Sequence, residues 1–439
     1  MKKICFIGAG STVFCKNILG DTLLCESLND SVIALYDIDG ERLDESFLLI
    51  EKLNEQLNGG KAKIEKYLGV QNRKAALKGA DFLINAIQVG GYEPCTVIDF
   101  EIPKKYGLNQ TIADTLGIGG IMRGLRTIKV LKDIAEDIEE VCPNAWLLNY
   151  TNPMAILTGY MLRYTKVKTV GLCHSVQVCS ETLLTELGME DKLEGRHEKI
   201  AGINHMAWLL EIRDKNGCDL YPEIKKRARE MNKSKNYDMV RFDYIDKLGY
   251  YCTESSEHNA EYNAFYIKKN RPDLIEKFNI PIDHYLRSCV KKIKGWKDQQ
   301  AQLMKDGKVE HTRSREYGSR IMEALATGVP CEINGNVINN GQIPNLPKEA
   351  CVEVKCLVDG EGIHPTYVGE LPLQLAAMNA SNIYPQLLTI EAARTGSRQT
   401  VYQAAMADPH TAAELSTDEI VSMCDELIAA HEKAGYPVL

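Results

Sequence analysis

Long apolar runs are missing from this sequence. None approaches the roughly 20 residues that a membrane-spanning helix requires, and no clear amphipathic stretch points to a membrane surface. The stretch Met1-Lys2-Lys3 followed by Ile4-Cys5-Phe6-Ile7 has the charge order of a secretory signal. Its apolar part is too short for one, and Gly8 to Thr12 interrupts it, so it reads as a buried first strand. Positive charge is not in excess either: 52 Lys and Arg stand against 60 Asp and Glu, for a net charge of -8. A nucleic-acid partner, which demands basic surface, is not expected. A disulfide framework is also lacking. The fourteen cysteines are scattered, and several, such as Cys5 and Cys351, lie inside apolar patterns. In a chain this long that predicts reduced, buried thiols and a cytoplasmic setting. There is no linker rich in Pro, Gly or Ser, no internal repeat and no low-complexity tract.

What is present is ordinary for an enzyme: 439 residues, 44% hydrophobic and 26% charged, enough for two or three structural units. Apolar runs end in Gly or an acid at Lys3 to Gly8 and Val32 to Asp37, with further strands read at Asp81 to Ile87, Ala145 to Asn149 and Lys168 to Leu172. Between them lie helical patterns up to about Leu28, over Gly40 to Leu57, Asn72 to Gly79 and Ile128 to Val141. Strand and helix alternate, which predicts an α/β fold with a doubly wound, Rossmann-like parallel sheet over residues 1–172. The pattern changes near Cys173. Residues 173–439 read as a mostly helical α+β unit with some antiparallel strand, Ala207 to Arg213 for example, fused to the first through a shared interface.

Four segments carry chemistry. Gly8-Ala9-Gly10-Ser11-Thr12 joins the first strand to the first helix, where glycines let backbone approach a pyrophosphate at a helix N-terminus. The third glycine of the usual fingerprint is replaced by Val13. Asp37 ends the second strand, where an acid accepts from an adenosine ribose and repels a 2′-phosphate, favouring NAD over NADP. A tight structural turn is the plain alternative. Asn149-Tyr150-Thr151-Asn152-Pro153 follows a strand at the edge where such sheets gather ligands; it equally fits an Asx turn before a helix. Cys173-His174-Ser175, with Asn204-His205 further on, offers a thiolate and an imidazole for a divalent metal. A buried thiol with a satisfied histidine, or a redox or nucleophilic Cys173, fits the same letters. Glu254 to Tyr262 packs acids, His258 and Tyr262 together as proton acceptors or as a solvated loop. Gln110 to Arg126 is glycine-rich and reads as a lid, a substrate loop or a helix entry.

Taken together, the stretches FIGAGSTVF, GGYEPCTVIDFE, QTIADTLGIGGIMR, NYTNPMA, GLCHSVQ, AGINHMAW, TESSEHNAEY and DPHTAAEL resemble glycoside hydrolase family four over nearly the whole chain. The Cys-His-Ser variant at 173–175 is similar to the α-galactosidase branch. Branches acting on phosphorylated sugars carry other residues after that cysteine. The resemblance implies hydrolysis of a small-molecule α-galactoside such as melibiose, with catalytic NAD, Mn²⁺ and a reduced cysteine, in a homodimer or homotetramer. The family is an exception to two-carboxylate glycoside hydrolysis. It implies hydride removal at C3 of the sugar, loss of the C2 proton to a base, elimination, addition of water and return of the hydride.

By position, the resemblance gives Cys173 and His205 as metal ligands. It gives Asn149, Asn152 and Asp114 as sugar contacts and His174 as the acid for the leaving oxygen. Gly8, Gly10, Ser11, Thr12 and Asp37 are expected to hold the cofactor. For the base it gives Tyr262, with His258 as the rival. α-Glucosides or α-galacturonides are alternative substrates. A 2-hydroxy-acid dehydrogenase shares the first half of the architecture, but it needs no metal, is typically shorter, and would accumulate NADH. An NAD-sensing regulator would bind no Mn²⁺.

Overall fold

The computed structural model describes residues 1–303 and 308–439. Its strands are β1 (Lys3–Ile7), β2 (Val32–Asp37), β3 (Lys63–Leu68), β4 (Phe82–Asn85), β5 (Trp146–Asn149), β6 (Lys168–Gly171), β7 (His197–Ile203), β8 (Met206–Arg213), β9 (Tyr251–Cys252), β10 (Cys331–Ile338), β11 (Cys351–Asp359) and β12 (Gly362–Pro365). Alternation along the first strands explains why their sequences are continuously apolar. Ile4 and Phe6 enter one core while Cys5 and Ile7 enter another; Ile33 and Leu35 oppose Ala34 and Tyr36 in the same way. A parallel sheet covered by helices on both faces buries both faces of its central strands.

The sheet runs β3-β2-β1-β4-β5-β6-β10-β11-β7-β8-β9, with β12 beside β11. Its first six strands are parallel. Their order is that of the doubly wound dinucleotide-binding fold, whose ligands lie outside the carboxyl ends of the strands. The expected α/β class is therefore observed. The strands after Cys173 are antiparallel and extend the same sheet. Asn336 of β10 pairs with Gly171 of β6, and Glu353 of β11 with Gly202 of β7. The second half thus contributes more strand than a mostly helical reading anticipates.

Local chemistry sets the element ends. The helix Gly40–Asn58 starts where the Asp39 side chain accepts from the Arg42 amide, and it stops at Gly59, whose φ is 69°. The helix after β1 stops at Leu23, short of Leu28. The stretch Gly117–Val141 is one helix of 25 residues, so the glycine-rich part of Gln110 to Arg126 is mostly helical. Its glycines mark close packing: a Cβ on Gly119 would lie 2.5 Å from the Ala113 carbonyl oxygen, and one on Gly120 2.6 Å from that of Thr115.

Candidate functional site

The turn after β1 is built by its own backbone. The amides of Gly8 and Ala9 both donate to the Tyr36 carbonyl, at 2.9 and 3.0 Å, and the Ser11 amide donates to Gly8 O at 3.1 Å. The Gly10 amide donates to Asp37 Oδ2 at 2.6 Å. The fingerprint amides are thus spent on the turn and are not free for a pyrophosphate. Gly8, at φ 89°, is needed because a Cβ would meet Ala86 O at 2.7 Å. Gly10 is needed because a Cβ would meet the Asp37 carboxylate at 2.8 Å. The groups left for an anion are the first-turn amides of the helix Thr12–Leu23, which no side chain caps. Ser11 is exposed beside them, whereas the Thr12 side chain is buried and faces Ser46 Oγ at 3.2 Å. Asp37 Oδ1 accepts from the amides of Ile38 (2.7 Å) and Asp39 (2.9 Å).

Three strands from β1 along the same edge, β6 delivers Cys173 to a buried position, with its Sγ 3.2 Å from Ser175 Oγ. The β7–β8 turn delivers His205 at φ 63°. Thr253 is tied to β8 through the Ala207 backbone, at 2.8 and 3.1 Å. It presents Glu254, also at φ 63°. The ligand atoms of Cys173, His205 and Glu254 all lie within 4.8 Å of one another. A thiol, an imidazole and a carboxylate converging this closely are a donor set suited to a borderline divalent cation. The sequence pairing of Cys173 with His205 is thus realised in space. Glu254 is the member that sequence reasoning read only as one of several candidate proton acceptors, since an acid in an acid-rich segment carries no spacing signal.

Electrostatics reinforce the grouping. Burial pushes the Cys173 thiol far up, and the nearby Glu353 and Glu254 carboxylates push the same way. Burial lowers the His205 imidazole to about 4 against the pull of Glu254, so it is neutral and able to ligate. Burial alone would raise the Glu254 carboxyl. The His258, His205 and His174 imidazoles together hold it at about 2 instead. Among the described residues five non-glycines have positive φ, and three of them, Ala113, His205 and Glu254, sit here. Strained backbone of this kind is held in place only by surrounding structure, and it gathers at functional sites.

The remaining expected residues fall unevenly around this centre. Asp114 reaches it, 3.9 Å from His258 Nε2, and forms with His205 and His258 a second, overlapping donor triplet. His258 is fixed by Ser255 Oγ at 2.8 Å from its Nδ1, and it lies 3.6 Å from Glu254. Tyr262 is fully buried, and its hydroxyl lies 3.1 Å from His205 Nδ1. It therefore backs the histidine, as outer partners of metal-bound imidazoles do. Burial, then the Asp114 charge, pushes its phenol well up, so it is protonated in the protein alone. His174 is exposed, 3.9 Å from Glu316. Asn152 is half-buried at the same edge, where its carbonyl accepts from Arg123 at 3.2 Å. Asn149 differs from expectation. Its amide is buried among Asn85, Thr151 and Thr158, bonded at 2.8 to 3.2 Å, so it braces the strand ends rather than facing a ligand.

A model described as family 4 glycosyl hydrolase matches residues 3–189, and that of the family's C-terminal domain matches residues 200–411. The chain belongs to glycosyl hydrolase family 4. Cys173 comes from the first matched segment, and His205 and Glu254 come from the second, so the site is assembled by both parts of the family architecture. An alpha-galactosidase of Bacillus subtilis (strain 168) is 61% identical over 98% of this chain and 98% of its own. The Bacillus subtilis protein lplD superposes with a TM-score of 0.85 at 26% identity, over 97% of this chain and 99% of that one. A 6-phospho-alpha-glucosidase from gut microorganisms, solved in complex with NAD and Mn²⁺, shares the fold. Its TM-score is 0.80 at 21% identity, covering 99% of each chain.

Proposed function

We propose that this family 4 chain is an α-galactosidase dependent on NAD and Mn²⁺, acting on small α-galactosides such as melibiose. The convergence of Cys173, His205 and Glu254 within 4.8 Å, at the carboxyl edge of a dinucleotide-binding sheet, carries the reading. The 61% identity to an alpha-galactosidase supports the sugar. The residues fit both groups. The uncapped helix start beside Ser11 suits a pyrophosphate, and Asp37 ends β2 where a ribose is expected. Cys173, His205 and Glu254 would hold the metal. When bound, the nicotinamide supplies reversible hydride chemistry at the sugar and the ion supplies Lewis acidity.

The protein's own part is orientation and proton handling. Asp114 and Asn152 bind sugar hydroxyls. His174, exposed at the rim, donates a proton to the leaving oxygen. The proton at C2 goes to Tyr262 or His258, which flank His205 from two sides. His258 is the more open of the two. Tyr262 can accept only if a cation at His205 lowers its phenol. The fourteen unpaired cysteines fit a cytoplasmic protein, and no described helix is long and apolar enough to cross a membrane. A homodimer or homotetramer is the proposed assembly, checked by light scattering.

The test is a panel of nitrophenyl glycosides assayed with NAD⁺, Mn²⁺ and a thiol reductant. The α-galactoside is expected to react fastest, and omission of any one component should abolish turnover. Hydrolysis that survives removal of NAD⁺ and metal, or a preference for α-glucosides or α-galacturonides, would overturn the proposal.

A further inference from the structure

The loop that carries Asp114 is held from two sides. On one side, three consecutive amides converge on a single carboxylate. Thr111 N and Ile112 N donate to Glu261 Oε2 at 2.7 and 3.2 Å, and Ala113 N donates to Glu261 Oε1 at 2.8 Å. Thr111 Oγ1 adds a bond to the Glu257 carbonyl at 2.7 Å. On the other side, Gly119 and Gly120 let the loop press against their helix, since any Cβ there would strike the Ala113 or Thr115 backbone at 2.5 to 2.6 Å. Ala113 is caught between the two clamps at φ 55°, a conformation that costs a non-glycine residue free energy. Asp114 is the next residue. Glu261 is 3% exposed and lies on the helix Ser256–Glu261, which also carries His258. One short helix therefore sets both His258 and the loop opposite it.

We propose that Glu261 is the positioning residue that sets the reach of Asp114 into the sugar site. A carboxylate is suited to the task because it has acceptors on both oxygens and no donor, so it can hold three amides at once. Glutamine at 261 would keep one acceptor oxygen and turn an NH₂ toward the other amides. The loop would then lose its grip without any large change in side-chain volume. The inference rests on the reading of Asp114 as a contact to sugar hydroxyls.

A double-mutant cycle tests it, using the intact enzyme with NAD⁺ and Mn²⁺. The readouts are kcat/KM for nitrophenyl α-galactoside, the galactose Kd, and the melting temperature of each variant. Asp114→Asn should lower kcat/KM by about 10- to 100-fold, the value of a hydrogen bond to a charged group in a site. Glu261→Gln should lower kcat/KM and weaken galactose in parallel. In the Asp114→Asn background Glu261→Gln should cost little more, because residues acting through one contact are not additive. A loss of the same factor in both backgrounds overturns the inference and leaves the Asp114 reading intact. An Asp114→Asn variant with wild-type kcat/KM overturns the Asp114 reading itself. Should Glu261→Gln fail to fold, Glu261→Asp keeps the charge but shortens its reach to the three amides. It must show the same non-additivity with Asp114→Asn, and additivity there overturns the inference equally.

Discussion

Asp37 has two tasks that one substitution can separate. Its Oδ2 accepts from the Gly10 amide at 2.6 Å, and its Oδ1 from the amides of Ile38 and Asp39 at 2.7 and 2.9 Å. The last two bonds are exposed, and water replaces them at little cost. The Gly10 bond is part-buried, and a bond to a charged acceptor is worth ~1.5–3 kcal/mol when dry. Partial exposure brings that to about 1–2 kcal/mol for holding the turn in its cofactor-binding shape. At 1.4 kcal/mol per tenfold, Asp37→Ala should weaken NAD⁺ by about 5- to 30-fold. Loss of the ribose acceptor adds to this, and the preference over NADP⁺ should shrink. Asp37→Asn keeps an acceptor for Gly10 but no charge. It should bind NAD⁺ within a few-fold of wild type while admitting NADP⁺. Titration calorimetry of the two cofactors against the three proteins gives all the constants. An Asp37→Ala variant with wild-type NAD⁺ affinity and unchanged discrimination would refute the reasoning.

Other outcomes follow from other residues. Cys173→Ser should weaken Mn²⁺ by at least about 100-fold while the melting curve stays cooperative, because a neutral hydroxyl replaces a thiolate. Equilibrium dialysis that returns the wild-type affinity would remove Cys173 from the donor set. Burial, then the Asp238 charge, raises the Glu186 carboxyl to about 7. The folded state thus holds that proton more tightly than the unfolded state does. The contribution is complete below about 4.5 and is lost as pH rises through about 7. In Glu186→Gln the decline of the melting temperature between pH 5 and 7 should be shallower than in wild type, and parallel curves would contradict this. In Tyr262→Phe, galactose should still bind while proton exchange at C2 is suppressed; normal exchange transfers the base assignment to His258.

The first half of the fold was legible because its strands are short, apolar on both faces and closed by Gly8 and Asp37. β3 was not, because it is an edge strand with an exposed, charged sequence, KIEKYL, that alternates weakly. The start of the helix Gly117–Val141 was obscured by glycines that serve close packing against Ala113 and Thr115 rather than flexibility. Within the site, Cys173 and His205 follow strand ends, where a sequence reading looks for ligands. Glu254 and Glu261 owe their roles to contacts across long sequence separations, Glu261 to the amides of 111–113 above all. No local pattern distinguishes them from the other acids of their segment. Asn149 misled in the opposite direction. It stands at the ligand-gathering edge, yet its amide is consumed by Asn85 and Thr158.

The central claim is that this chain breaks the C2–H bond of its substrate, which a two-carboxylate glycosidase has no reason to touch. Turnover of an α-galactoside in heavy water, with NAD⁺, Mn²⁺ and a reductant present, tests it directly. The account predicts deuterium at C2 of the released galactose, seen by NMR. It also predicts slower or exchange-prone reaction of substrate deuterated at that carbon. Galactose released with ordinary hydrogen at C2, at a rate indifferent to the label, would contradict it.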